Sequence, residues 1–174
     1  MQSYYDLDAV RPMEQELERV GVTPLKTAAE VDEAIKTEGT TLVIVNSICG
    51  CAAGNARPGA MLGLQYSKIP HRITTVFAGV DHEAVNQARS HMTEIAPSSP
   101  SIALFKDGTL VFALERRHIE QMTADHIADV LTKAFEHHCT KPGPSIPAEE
   151  FQKINPLKQC GSSIPLNSQS VTGP

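Results

Sequence analysis

The sequence has no tryptophan, and its only aromatic side chains besides histidine are three Tyr and five Phe, so its core must rest on aliphatic residues. No apolar run approaches the roughly 20 residues that a membrane span requires, and no membrane association is expected. The formal charge is −5 and Lys and Arg form no cluster. A nucleic-acid binder needs cations that displace phosphate counterions, so no nucleic-acid partner is expected either. The first residues, Met1-Gln2-Ser3-Tyr4-Tyr5-Asp6, have neither the basic start nor the apolar stretch of a secretory signal. A cytoplasmic location is the expectation. Internal repeats are also lacking.

Apolar residues make up 41% of the 174 residues and charged ones 20%, which suits one folded domain with room for a tail. The tail announces itself by composition. Six of the twelve prolines fall between Lys141 and Pro174, among Ser, Asn and Gln. Prolines at that density interrupt both helix and ladder, so residues 140–174 are predicted to be an irregular, proline-rich extension of a domain spanning 1–139. With the apolar faces complete by Phe135, the extension is expected to be dispensable for folding.

Within the domain, Leu7, Val10, Met13, Leu17 and Val20 recur every three or four residues and predict a helix stopping near Gly21. Thr27-Ala28-Ala29-Glu30 is a capping box that opens a helix through Val31, Ala34 and Ile35. Thr41-Leu42-Val43-Ile44-Val45 is a continuous β-rich run, as in a strand buried on both faces. A small-residue helix follows from Ala52 to about Tyr66, bent or restarted at Pro58. Ile73 to Phe77 reads as a second buried strand, and Ala84, Val85, Ala88 and Met92 as a helix capped by Asp81. Asp107-Gly108 joins Ser101–Phe105 to Thr109–Leu114 as a hairpin. Thr123 caps a last helix carrying Ile127, Val130, Leu131, Ala134 and Phe135. An additional strand near Thr23–Leu25 is left open, although the pattern does not support it. Alternating strands and helices closed by a hairpin give an α/β fold, a mixed four- to five-stranded sheet with helices on both faces.

The chemistry concentrates in Cys49-Gly50-Cys51, at the junction of a buried strand and a helix. Free N–H groups and the helix dipole there favour an anion, and the thiolate is the form that attacks disulfides. Cysteines one residue apart in an extended chain lie about 6.5–7 Å apart at Cα, the far edge of disulfide range. Closing the pair needs a tight turn, for which Gly50 offers backbone regions shut to other residues. A strained ring of this kind suits exchange better than permanent crosslinking. Two readings compete with catalysis. A buried cysteine can serve simply as a small hydrophobe. The other rival is a non-catalytic metal- or thiol-binding module. Zinc needs four ligands, however, and the remaining candidates, His137, His138, Cys139 and Cys160, lie far along the chain.

A second feature is Ser99-Pro100, at the start of the hairpin's first strand. A thioredoxin-like site places a cis-proline there, opposite the cysteines, although about 95% of X-Pro bonds in folded proteins are trans. With both features in view, the sequence resembles the bacilliredoxins, a bacterial thioredoxin-fold family with a CGC active site. The matching residues run from Thr40 through Cys49-Gly50-Cys51-Ala52-Ala53-Gly54 to Ala56-Arg57-Pro58. They continue at Val76-Phe77-Ala78-Gly79, at Ala96-Pro97-Ser98-Ser99-Pro100-Ser101 and from Thr132 to Cys139, so the resemblance covers roughly residues 4–139.

The resemblance implies a thiol–disulfide oxidoreductase that removes bacillithiol or a similar small thiol from protein mixed disulfides, or isomerises disulfides. It implies Cys49 as nucleophile and Cys51 as the resolving or assisting thiol. Gly50, Ser99 and Pro100 are then expected to meet the substrate. The partners are client proteins carrying mixed disulfides, with the small thiol as co-substrate and no dissociable cofactor. Arg57 and the run Arg116-Arg117-His118 offer cations for a nearby thiolate or an anionic substrate, although charges at strand ends are usually just solvated. His137-His138 reads as a solvated helix end, and Cys139 and Cys160 as ordinary thiols.

Overall fold

The β-branched run at Thr41–Val45 forms the strand around which everything else is arranged. A computed structural model describes residues 3–154, so Leu157 and Cys160 lie outside the described residues. The chain runs through α1 (Leu7–Glu18), β1 (Thr23–Pro24), α2 (Ala28–Lys36), β2 (Thr40–Asn46), a π-helical turn (Ala52–Ala56) and α3 (Arg57–Gly63). It continues through β3 (Lys68–Ile69), β4 (Arg72–Phe77), α4 (His82–Ser90), β5 (Ser101–Lys106) and β6 (Thr109–Leu114). The last elements are α5 (Arg116–Ile119), α6 (Ala124–His138), β7 (Lys141–Pro142) and α7 (Ala148–Ile154).

The main sheet has the order β1-β4-β2-β5-β6, with β1, β4 and β2 parallel and the β5–β6 hairpin antiparallel to them. This is the mixed, thioredoxin-like α/β sheet expected from the sequence, with five strands where four to five were expected. β2 is buried at every position because both of its faces are covered. Leu42 and Ile44 enter a core shared with Leu17 of α1, Met61 of α3, and Leu131 and Phe135 of α6. Val43 and Val45 enter the opposite core, with Val31 and Ile35 of α2, Val85 of α4, and Phe105. The Thr27–Glu30 capping box is present with both of its bonds. Asp107 and Gly108 both take positive φ, 50° and 80°, as a two-residue hairpin turn requires.

Helix α3 lies unusually close to α6. A Cβ added at Gly59 would stand 2.7 Å from the Ile127 side chain, and one at Gly63 would stand 3.3 Å from Leu131. The two glycines, one turn apart, give α6 a groove to settle into.

The structure differs from the sequence reading at several points. Thr23–Pro24 is a strand after all, paired with Thr74 and Thr75. Two residues show no period, so the pattern could not reveal it. Asp81 stands at the N-cap of α4, but its side chain makes no capping bond there. Its carboxylate instead accepts from the Phe77 N–H at 2.9 Å and faces Lys26. Residues 141–154, expected to be irregular, form β7 and α7. β7 pairs with β3, and Ile146, Phe151 and Ile154 pack against the core that holds Leu42 and Ile44. Gly143 makes this return possible, since a Cβ there would stand 2.0 Å from the Tyr66 carbonyl.

Candidate active site

The site is built from the end of β2 outward. Asn46 is fully buried, and its side-chain oxygen accepts from the Ser47 N–H at 2.8 Å and from Arg57 Nη1 at 3.2 Å. Arg57 Nη1 also donates to the Ser47 carbonyl at 3.1 Å, while its Nε donates to Glu16 at 2.6 Å. The guanidinium is only 3% exposed, so it acts as an internal tie between α1, the strand end and α3. The sequence reading offered it to a thiolate or substrate. The structure turns it inward instead.

This tie fixes the backbone from which the cysteines rise. The Ser47 hydroxyl donates to Cys49 Sγ at 3.2 Å, and the Ala52 N–H donates to the same sulfur at 3.3 Å. Cys51 Sγ lies 2.6 Å from it. Burial alone pushes the Cys49 thiol up. The hydrogen bonds from Cys51, Ser47 and Ala52, with the positive charge of Arg116, more than offset this and leave it below the ordinary thiol range. Cys51 goes the other way. Burial, its bond to Cys49 and the charge on Cys49 push it up to about 11, helped by Glu120. The pair is electrically asymmetric, with the negative charge settling on Cys49.

Gly50 is placed differently from its expectation. It begins the helical segment, its φ lies outside the left-handed region, and a Cβ there would meet nothing within 4 Å. A side chain would find open space there, and the backbone does not require glycine. The π-helical turn that follows has a local cause. Pro58 has no N–H for the carbonyl of Gly54, and its ring would crowd that oxygen in a regular α-helix. The chain widens by one residue and restarts, with Pro58 in the first turn of α3.

The Ser99-Pro100 bond is cis, as expected. Ser101 pairs with Val45, so Pro100 stands at the same end of the sheet as the cysteines. Helix α5, which the periodicity did not reveal, locks this corner. The Arg116 N–H donates to Ser98 Oγ at 3.3 Å, and Arg116 Nη1 donates to the Ser99 carbonyl at 3.3 Å. From the other end, the Ile119 carbonyl accepts from Asn55 at 3.0 Å. Ile48, beside Cys49, is 43% exposed and is one of four large apolar side chains at the surface among the described residues. Sequence reasoning missed Ser47 and Ile48. A hydroxyl two residues before a thiol at a strand end was the available signal for Ser47.

His137 and His138 lie elsewhere. Cys139, buried at the end of α6, bonds to Thr40 at the start of β2. Six strand steps of about 3.3 Å put that end about 20 Å from Cys49, so His137, His138 and Cys139 do not join the CGC pair.

The family profile described as disulphide isomerase matches residues 5–139. A bacilliredoxin of Cytophaga hutchinsonii is 49% identical over 132 residues, covering 76% of this chain and 98% of the relative. The chain belongs to the bacilliredoxin family. A second bacilliredoxin, from Salinibacter ruber, is 43% identical over 171 residues, 97% of this chain and 99% of its own length. That match reaches well past Cys139, so the proline-rich extension has a counterpart in another bacilliredoxin. Among solved structures, mitochondrial thioredoxin 3 from Saccharomyces cerevisiae, in its oxidised form, aligns with 68% of this chain and 97% of its own, at 18% identity and a TM-score of 0.47.

Proposed function

We propose that this bacilliredoxin-family chain removes a small thiol, bacillithiol or a close analogue, from mixed disulfides on client proteins. Cys49 is the nucleophile. Its thiolate attacks the sulfur of the small thiol, the Cys49–small-thiol disulfide forms, and the client sulfur leaves as a thiolate that takes a proton from water. Cys51 then attacks Cys49 Sγ, releasing the small thiol and leaving a Cys49–Cys51 disulfide that an external thiol must reduce, or a second small thiol attacks the sulfur of the bound one, forming its symmetrical disulfide and freeing the Cys49 thiolate. The observation that carries this reading is the opposite displacement of the two thiols, Cys49 lowered and Cys51 pushed up to about 11. A nucleophile needs the first and a proton-retaining partner the second. The same pair, attacking a client's own disulfide, supports isomerisation.

The client backbone lies along Ser99-Pro100, and the open space at Gly50 and the exposed Ile48 leave room for it beside Cys49. No dissociable cofactor is called for, and the reducing cytoplasm is the fitting compartment. Intact-mass measurement tests the proposal. Reduced Cys51→Ser protein mixed with a small-thiol mixed disulfide should carry one adduct at Cys49, cleared by added small thiol, and Cys49→Ser should carry none. A protein that instead holds stoichiometric metal through both cysteines and forms no adduct is a binding module, and the reading is wrong.

A further inference from the structure

The segment ahead of α1 is pinned to the surface in a way that the core does not explain. The Tyr4 N–H donates to the Gly79 carbonyl at 2.9 Å, and the Ser3 hydroxyl donates to the Tyr5 carbonyl at 2.8 Å. The Tyr4 ring meets His82 edge-on, with ring centroids 4.7 Å apart. Tyr5 lies over Gly79, whose φ is 84° and where an added Cβ would collide with the ring. Yet Tyr4 is 74% exposed, Tyr5 39% and Leu7 59%. With Ile48 they make up the four large apolar side chains at the surface among the described residues.

The sheet gathers all four at one end. Gly79 follows β4 by two residues, and Ile48 follows β2 by two. The two strands are parallel neighbours, with Phe77 opposite Asn46 and the Ala78 N–H donating to the Asn46 carbonyl at 3.0 Å. Their ends therefore stand about 5 Å apart. One strand further on, across β2, Ser101 begins β5 with Pro100 before it. The turn that carries Cys49 thus rises between the tyrosine segment and the cis-proline. Beside the tyrosines, Leu7 and Val80 wall a hollow of about 460 Å³. The charged groups in its lining, Arg11, Glu14, Lys26 and Asp81, are all ion-paired, so its free surface is apolar.

We infer that Tyr4, Tyr5 and Leu7 form a second contact for the client protein, taking an apolar side chain three or four residues from the client cysteine. The inference rests on Cys49 being the nucleophile that meets a protein client. Area identifies the client as the occupant. Even a small, transient interface covers about 600 Å² on each partner, a disc about 14 Å in radius around Cys49, which takes in the neighbouring turn after β4. The spacing follows from the sheet, since two strand steps of about 5 Å equal about three extended residues. Tyrosines already held in place lose little freedom when a partner covers them. The chemical step is the exchange described above, in which one S–S bond forms, one breaks and nothing is oxidised overall.

The test uses two peptides, each with one cysteine held as a mixed disulfide with 2-mercaptoethanol. One carries Leu at the third and fourth positions on both sides of that cysteine, and the other carries Ser there. Bis(2-hydroxyethyl) disulfide is the third reagent, too small to reach the tyrosines. Full-length reduced protein in a Cys51→Ser background is quenched over time, and the mercaptoethanol adduct on Cys49, the same from all three, is followed by intact mass. Rates are divided by those of a free cysteine derivative. The parent should react about fivefold faster with the Leu peptide than with the Ser peptide, the scale of half-burying one apolar side chain. Tyr4→Ser combined with Leu7→Ser should remove most of that preference and leave the small reagent unchanged, and Tyr4→Phe should keep the preference. No preference in the parent, or an undiminished one in the double variant, would sink the inference. Equal slowing of all three reagents would mean that the segment acts on the thiol and not on the client, which overturns it too. So would a parent that sediments as a dimer and is dissociated by Tyr4→Ser, since a second copy would then cover the tyrosines. Failure of the exchange reading is distinguishable, because the parent would then form no Cys49 adduct even with bis(2-hydroxyethyl) disulfide.

Discussion

The hydroxyl of Ser47 donates to the sulfur of Cys49 at 3.2 Å, from a residue whose own carbonyl is pinned by Arg57 at 3.1 Å. A donor held this firmly stabilises the thiolate over the thiol. Ser47→Ala should therefore raise the pH at which Cys49 becomes reactive and slow its alkylation at neutral pH by roughly threefold, while leaving the fold intact. Iodoacetamide rates across pH measure it. An unchanged profile would assign the lowering to Cys51, Ala52 and Arg116 alone.

The two thiols should titrate far apart. Thiolate absorbance at 240 nm is expected to show one step below the ordinary thiol range and another near 11, read as properties of the pair. The signs for stability follow. Cys49, lowered in the folded state, adds stability that is lost as pH falls through its folded value. Cys51, raised, adds stability that is present below its ordinary value and lost as pH rises toward 11. Cys51→Ser should flatten the decline in melting temperature between about pH 9 and 11.

Arg57→Gln should cost about 3 kcal/mol, the lower end for breaking a buried ion pair because Glu16 keeps 19% exposure, or about 6–12 °C in melting temperature. Thermal unfolding at neutral pH decides it. A loss under 1 kcal/mol would show that Glu16 and the Ser47 carbonyl find water readily.

Gly59→Ala should cost about 1–3 kcal/mol, since the added methyl meets Ile127 at 2.7 Å and outweighs the better helix propensity of alanine. Gly54→Ala, with nothing within 4 Å, is the contrasting case and should be neutral or slightly stabilising. Unfolding free energies from denaturant melts of the two variants should differ by at least about 1 kcal/mol, Gly59→Ala being the less stable.

Cutting the chain after Cys139 should destabilise it, contrary to the expectation from composition. Ile146, Phe151 and Ile154 each bury part of an apolar side chain, together about 3 kcal/mol at roughly 1 kcal/mol for each half-buried residue. The loss should be the same with and without reductant, because docking causes it. An unchanged melt in the cut chain would show that these contacts add nothing.

Periodicity revealed every long helix and the four principal strands, because each spans several turns or a full buried run. It could not reveal β1, β3 or β7, whose two residues have no period, nor α5, a single turn. The extension hid its order behind proline, although Phe151 and Ile154 stand three apart on one face of α7. At the site, Cys49, Cys51 and the cis bond before Pro100 followed from local sequence. Arg116 came forward only as a strand-end charge, since its neighbourhood with Cys49 depends on how the hairpin returns across β2. Arg57 was offered to a thiolate or substrate, and nothing local says that Glu16, 41 positions earlier, claims it.

The alternation along β2 has a consequence for how the family can vary. Leu42, Val43, Ile44 and Val45 feed two cores in strict turn, and both edges of the strand are already paired. Exchanging one aliphatic residue for another disturbs a single contact. Deleting one residue sends every later side chain into the wrong core and carries Cys49 to the other side of the sheet. The segment from Thr40 to Asn46 thus tolerates changes of letter and forbids changes of count. Length polymorphism should be confined to the loops on either side.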